Sequence, residues 1–295
     1  MTTAIVAVDA SRPDFAALVT DLDLRLPLRP EDVAKVEAGM NRYGVLVFRG
    51  QDITNDQQIA FTRHFGPLEE AYFVPGDNVQ AGRVPSEIND ISNLDRDNNV
   101  LPRDDRQRLF QLGNLLWHSD SSYKVVPAKY SLLSARAIPD RGGDTEFADM
   151  RAAWDTLDPE TQALIRNMIC EHSRLFSRGV LGFQFNEDEQ REFAPVQQRL
   201  VRRHPATGRL SLFLSSHGGA IVGWPLPEAR ALLRELTEHA TQRERVYTHK
   251  WRQHDLVMWD NRVTMHRGKR FPAEQARDMR RTTTTDSAST LQQAA

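Results

Sequence analysis

Short apolar runs broken by turns recur along this chain more often than long stretches of helical periodicity. Val45-Leu46-Val47-Phe48 is an unbroken apolar run of strand length, and strand-like runs follow at 130–135, 169–176, 200–203, 210–214, 245–250 and 256–259. Helical signals are fewer. Pro30-Glu31-Asp32 ahead of Val33, Val36 and Met40 predicts a helix with Pro in its first turn and acids at its positive end. Asn55 is expected to cap a second helix carrying Ile59, Ala60 and Phe61, closed by Gly66-Pro67. Asp158-Pro159 opens a third over 158–168, and 227–240 presents Leu232, Leu233 and Leu236 on one face. Many short strands with few helices predict a mainly β fold, a sandwich or barrel, and neither GxGxxG nor GxxxxGK[ST] is present to favour a doubly wound sheet.

From Pro67 to about Gly113 the pattern weakens, with a charged run over 95–108 and only 88–91 reading as a strand. A connection of that length predicts a lid or substrate loop over 67–116. The polar end from about residue 287 reads as a flexible tail. Without a repeat or linker, one domain over 1–295 is expected.

Composition narrows the function classes. At 295 residues, 40% hydrophobic and 26% charged, the chain is neither fibrous nor disordered. Its 38 Lys+Arg against 40 Asp+Glu give a net charge of −2, so no overall basic field exists to hold nucleic acid or an anionic membrane. Any anion needs a local site. The single cysteine, Cys170, excludes an internal disulfide and CxxC motifs, which fits a reducing cytoplasmic setting. No basic n-region with an apolar h-region opens the chain and no run of 18 apolar residues occurs, so neither export nor a membrane span is expected.

Nine histidines and 40 acids lead by chance to about one His-x-acid triplet, and one occurs, His118-Ser119-Asp120. On a strand, positions i and i+2 share a face, so His118 and Asp120 can offer an imidazole and a carboxylate to one ion. A third imidazole from elsewhere would complete two histidines and one carboxylate, the facial set of non-haem Fe(II) oxygenases, with positions left open. His266 stands just after the strand ending at Trp259, although spacing equally permits His172, His204, His217, His239, His249 and His254. Arg277, Met279 and Arg281 would share one strand face, and a guanidinium there suits a carboxylate clamp.

These residues sit in blocks that resemble the taurine dioxygenase / 2,4-dichlorophenoxyacetate dioxygenase family: Val45-Leu46-Val47-Phe48-Arg49-Gly50-Gln51, His64-Phe65-Gly66-Pro67-Leu68-Glu69, Trp117-His118-Ser119-Asp120-Ser121-Ser122-Tyr123, Gly142-Gly143-Asp144-Thr145-Glu146-Phe147 and Trp259-Asp260-Asn261-Arg262. Within it, the 116–122 block, Asp149-Met150-Arg151-Ala152-Ala153 and His239-Ala240-Thr241-Gln242-Arg243-Glu244 look closest to the phenoxyacetate-cleaving branch. The resemblance implies a double-stranded β-helix, a cupin-like jelly roll with flanking helices. It implies that His118, Asp120 and His266 hold Fe(II), that Thr145 and Arg277 bind 2-oxoglutarate with Trp259 packing nearby, and that Arg281 lies beside the metal, serving cosubstrate and the acidic group of the substrate. Asn114 and Ser121 fall at substrate-side positions. The implied reaction consumes O₂ and 2-oxoglutarate and hydroxylates the carbon next to the ether oxygen of an aryloxyalkanoate, giving a phenol, glyoxylate or pyruvate, succinate and CO₂. The alternatives are a taurine or alkylsulfonate dioxygenase releasing sulfite, and a non-catalytic jelly-roll module with structural zinc. A homo-oligomer, dimer or larger, acting on a small acidic molecule is expected. Between Pro67 and Leu116 there is no lysine, so Arg83, Arg96 or Arg103 is expected to take the place of a basic substrate contact there, or the acid group rests on Arg281 alone.

Overall fold

The structure, a computed structural model, describes residues 3–70 and 82–293. It is a mixed, sheet-rich fold with helices. A seven-stranded sheet runs in the order Ala4–Ala7, Ala17–Thr20, Val45–Phe48, Leu256–Asp260, Ala128–Ala137, Asp278–Thr285, Asn89–Asp90. Its pairs are antiparallel except Ala17–Thr20 beside Val45–Phe48. Val246–His249, Thr145–Asp149 and Thr264–Gly268 form a three-stranded sheet.

The unbroken apolar runs have a physical reason: both faces of the large sheet are covered. Val45, Val47, Leu133, Val257, Trp259 and Met279 meet Phe147 and Tyr247 of the three-stranded sheet. On the opposite face, Leu46, Phe48, Leu132, Leu256 and Met258 meet Val36, Met40 and Phe61 of two helices. Those helices are Pro30–Tyr43, which stops at Gly44 with φ 67°, and Asn55–Arg63. The cap of the second is Thr54 rather than Asn55, because Thr54 and Gln57 satisfy each other's backbone amides in a capping box. Behind the three-stranded sheet, Ala148 and Met265 pack with Met150, Leu233 and Leu236 of the helices Met150–Asp155 and Leu226–Ala240.

Two expectations are corrected, and the structure adds detail to a third. The run at 169–176 is a strand only over Ile169–His172, since the Ser173 hydroxyl accepts from Leu175 N and caps a helix over Arg174–Gly179. The end of the chain through residue 293 is anchored, not a flexible tail: Thr290 is fully buried, its hydroxyl lies 2.6 Å from Gln198 Oε1, and Asp286 pairs with Arg202 at 2.5 Å. The 67–116 segment is more structured than a loop. It carries the edge strand Asn89–Asp90, the helix Arg106–Gln111 and a 3₁₀ turn over Leu112–Leu115, with Arg83 bridging Asp90 and Asp278 at 2.7 and 2.6 Å. The part of the lid expectation that falls on 71–81 lies outside the described residues.

Candidate metal centre

Strand pairing brings the ligands together. His118 and His266 face each other across an isolated antiparallel bridge, with His118 N donating to His266 O at 2.9 Å and His266 N donating to His118 O at 2.8 Å. His118-Ser119-Asp120 is therefore not a full strand but a single bridge running into a turn, where Ser121 takes φ 51°. The alternation still holds. Ser119 Oγ turns the other way and donates to Leu214 O and Thr264 O, while His118 and Asp120 point together.

The ligand atoms of His118, Asp120 and His266 all lie within 4.8 Å of one another, and the three residues are buried. His118 Nε2 is 3.8 Å from Asp120 Oδ1, and His266 Nε2 is 3.7 Å from Asp120 Oδ2. His118 Nδ1 sits 2.7 Å from Leu116 O, which makes Nδ1 the protonated nitrogen and leaves the Nε2 lone pair facing the centre. Burial holds His118 down to about 4 and His266 well below the usual imidazole value, so both are neutral at physiological pH. Burial alone would raise the Asp120 carboxyl. The Arg281 guanidinium, then the two imidazoles, outweigh it and hold the group at about 2. Two neutral imidazoles converging on an ionised carboxylate form a ligand set for a divalent ion, and this is the metal-binding site.

Sequence reasoning missed the groups that aim Asp120. Ser131 Oγ donates to its Oδ2 at 2.7 Å, and its amide donates to Asn261 Oδ1 at 3.0 Å. Asn261 is itself held by Trp259 Nε1 at 3.1 Å and by its own donation to Ser131 Oγ at 2.9 Å. Trp259 is thus a buried support, its ring 4.6 Å from the His266 ring. Only the register of Ala128–Ala137 against Leu256–Asp260, which sets Ser131 opposite Trp259, reveals this network. The rival histidines bond elsewhere: His172 to Ser122, His204 to Asp260, His217 to Ser177, His239 to Ala153 O and His249 to Asp255, while His254 lies beside Asp52.

Among the remaining site candidates, Thr145 is buried and its hydroxyl accepts from Trp251 Nε1 at 3.0 Å. Arg277 is 9% exposed and has no carboxylate within ion-pair distance among the described residues; its guanidinium reaches only Ile91 O and Gly143 O, both at 3.4 Å. Burial pushes it down to about 10. Gly143, whose carbonyl Arg277 reaches, has φ 73°, a left-handed conformation that favours glycine. Arg277 and Asn114 line a cavity of about 420 Å³ together with the cations Arg103, Arg141, Lys269 and Arg270. Arg281 lies on Asp120 Oδ1, as the ion pair noted above. Ser121 donates to Glu69 Oε2 at 2.7 Å and is almost wholly buried, so its hydroxyl is engaged within the protein. Of the three arginines left open for the loop, Arg83 is tied to two aspartates, Arg96 is exposed beside Asp97, and Arg103 lines the cavity.

Comparison with known proteins gives consistent matches along the chain. The sequence model described as "Taurine catabolism dioxygenase TauD, TfdA family" matches residues 7–283. The chain is 46% identical over 289 residues to the alpha-ketoglutarate-dependent 2,4-dichlorophenoxyacetate dioxygenase of Cupriavidus pinatubonensis, covering 96% of this chain and 99% of that protein. It is 36% identical to the (S)-phenoxypropionate/alpha-ketoglutarate-dioxygenase of Sphingobium herbicidovorans, over 93% of this chain and 92% of that one. The crystal structure of AAD-2 in complex with Mn(II) and N-oxalylglycine superimposes with a TM-score of 0.90 at 52% identity, covering 99% of this chain and 100% of that chain. A taurine dioxygenase from Burkholderia xenovorans is more distant, with a TM-score of 0.77 and 28% identity over 97% of this chain and 90% of that one.

Proposed function

The chain belongs to the TauD/TfdA family of dioxygenases, and on that premise we propose that it hydroxylates an aryloxyalkanoate acid of the 2,4-dichlorophenoxyacetate kind at the carbon bearing the ether oxygen. It is an oxidoreductase that uses iron and 2-oxoglutarate. Its two-sheet core, with Phe147 and Trp259 meeting between the sheets, is the arrangement a double-stranded β-helix needs, and we read the fold as that jelly roll in one domain over 1–295. We also read the enzyme as a homo-oligomer, with 67–116 as the segment covering the substrate.

The observation that carries the reaction class is the buried His118-Asp120-His266 set, in a chain that also buries Arg277 with no carboxylate within ion-pair distance among the described residues. His118, Asp120 and His266 would hold Fe(II), which with 2-oxoglutarate and O₂ supplies decarboxylation of the cosubstrate to succinate and CO₂ coupled to hydroxylation of a substrate C–H bond. The chain's residues place and tune. Ser131 and Arg281 fix the two Asp120 oxygens, and Leu116 O fixes the His118 tautomer. Arg277 offers two parallel donors to the distal carboxylate of 2-oxoglutarate, with Thr145 nearby in the Gly142-Gly143-Asp144-Thr145 segment. Burial of Arg277 strengthens that contact by removing competing water. Asn114, at the cavity beside Arg277, serves the substrate side. Hydroxylation next to the ether oxygen gives a hemiacetal, which breaks to a phenol and glyoxylate.

The 2,4-dichlorophenoxyacetate and phenoxypropionate enzymes among its relatives support this substrate class over a sulfonate. The test is anaerobic titration of metal-free protein with Fe(II) and 2-oxoglutarate. A weak visible charge-transfer band that shifts on adding 2,4-dichlorophenoxyacetate but not taurine is expected. A shift with taurine alone overturns the substrate assignment, and no band at all overturns chelation at an open ferrous site.

A further inference from the structure

Thr145 stands in the middle of the three-stranded sheet, opposite His249 on one side and Gly268 on the other. Two residues on, Phe147 lies opposite His266, so Thr145, Phe147 and the metal-site imidazole share one face. The Arg277 guanidinium reaches Gly143 O at 3.4 Å, two residues before Thr145. The hydroxyl and the guanidinium therefore flank the same short stretch of backbone.

Trp251 Nε1 donates to Thr145 Oγ1 at 3.0 Å. A hydroxyl by itself can turn either way, but an indole N–H only donates, so Thr145 must accept here and its own proton is left to point elsewhere. Among the described residues no group accepts that proton. Thr145 is buried, and a buried O–H with no acceptor is costly, so the hydroxyl is poised for an acceptor that the protein does not supply.

Trp251 is itself held firmly. Its ring packs against the cluster that contains Phe147, Trp259 and Met279, and the His249 ring meets it edge-on at 4.5 Å. The turn that carries it is folded around the fully buried Asp255 carboxylate. Asp255 Oδ2 accepts from Arg252 N at 2.8 Å, lies 3.2 Å from His249 Nε2 and pairs with Arg49. His249 and Arg252 flank Trp251, so one carboxylate fixes the backbone on both sides of the indole.

We propose that Trp251 is a positioning residue for the cosubstrate: by filling the acceptor side of Thr145 Oγ1 it locks the hydroxyl as a donor to the distal carboxylate of 2-oxoglutarate, alongside the Arg277 guanidinium. This rests on the proposed reading of Thr145 and Arg277 as the site of that carboxylate. In this role Trp251 acts through Thr145 and not on the cosubstrate itself. No motif marks the stretch His249-Lys250-Trp251-Arg252 in the sequence.

The experiment is calorimetric titration of two ligands into Mn(II)-loaded protein: N-oxalylglycine, and N-methyloxamate, which keeps the chelating end and lacks the distal carboxylate. Trp251→Phe and Trp251→Met both remove the N–H and keep apolar volume, and each is read where circular dichroism shows it folded. Either is expected to weaken N-oxalylglycine about five- to tenfold and N-methyloxamate less than about two-fold. Thr145→Val weakens N-oxalylglycine about tenfold or more, and adding the Trp251 change to it costs less than about two-fold further. Added to Thr145→Ser, which keeps the hydroxyl, the same change still costs about fivefold. An unchanged N-oxalylglycine affinity on removing the indole N–H overturns the proposal. So does an equal loss of both ligands, or a full additional loss in the Thr145→Val background, since each of these marks a packing role. Unchanged N-oxalylglycine affinity in Thr145→Val overturns instead the reading of Thr145 as a contact of the distal carboxylate.

Discussion

His118 and His266 exchange both of their backbone hydrogen bonds, N to O at 2.9 Å and O to N at 2.8 Å, so the two imidazoles of the metal site are directly opposed residues of one antiparallel bridge. Main-chain pairing, which no side-chain change removes, sets their spacing. His118→Ala is therefore expected to leave the fold intact, with a loss of stability of about 1–3 kcal/mol from the vacated buried volume. Fe(II) binding and 2-oxoglutarate turnover should both fall to background. Circular dichroism alongside a metal-binding titration checks the pair; tight iron binding in a folded variant would sink the ligand assignment.

Arg277 is a buried cation with no carboxylate within ion-pair distance among the described residues. Arg277→Met removes the donors for a carboxylate and also removes an uncompensated charge, so its two effects run in opposite directions. The KM for 2-oxoglutarate is expected to rise about 100-fold, equivalent to about 3 kcal/mol of lost charged hydrogen bonding, with the KM for the aryl acid moving far less. The thermal midpoint of the ligand-free protein should stay level or rise. Steady-state kinetics with each substrate varied in turn, plus a melting curve, test this, and an unchanged cosubstrate KM would point to a different clamp.

Much of this was legible in the sequence, for reasons that differ by element. The run Val45–Phe48 is covered on both faces, so it reads as apolar throughout, and the helix Pro30–Tyr43 carries its own start and stop signals in Pro30 and Gly44. The strands Thr145–Asp149 and Thr264–Gly268 were not legible as strands. Their inward positions carry Thr145, Phe147 and His266 and their intervening ones Glu146 and Arg267, an ion-paired couple that spoils the apolar pattern. His118 and Asp120 could be paired because metal chemistry restricts residue type, whereas His266 is separated from six other histidines only by the resemblance to the family. Ser131 and Asn261 could not be named, since a serine and an asparagine acquire their roles only from register and burial.

His172 gives the protein a pH-dependent stability. Its ring is stacked on Phe213, its Nδ1 lies 3.0 Å from Ser122 Oγ, and burial pushes it down to about 3 from the ordinary 6.5. Between those values the unfolded chain binds a proton that the folded one does not. The stability this residue allows is complete above about pH 6.5 and is lost as pH falls toward 3, with a slope of up to about 1.4 kcal/mol per pH unit. His172→Gln keeps a hydrogen-bonding side chain without the titration and should flatten the urea-unfolding free energy between pH 4 and 6 by up to about that slope. Parallel curves for the two proteins would show that His172 is not the group responsible.

The cavity at Arg277 concentrates positive charge on a chain whose net charge is −2, with Arg103, Arg141, Lys269 and Arg270 around it. Exposed charges of this kind act mainly on encounter, at distances that salt screens within about 8 Å at physiological ionic strength. The kcat/KM for 2-oxoglutarate should therefore fall several-fold between 20 mM and 500 mM salt, with kcat nearly constant because the buried Arg277 contact is little screened. Arg103→Gln combined with Arg270→Gln should lower kcat/KM at low salt and flatten its salt dependence, without the large KM increase expected of Arg277→Met. Stopped-flow measurement of 2-oxoglutarate association across that range separates the two effects, and a salt-independent association rate in the wild type would mean that these cations serve packing or substrate contacts instead of steering.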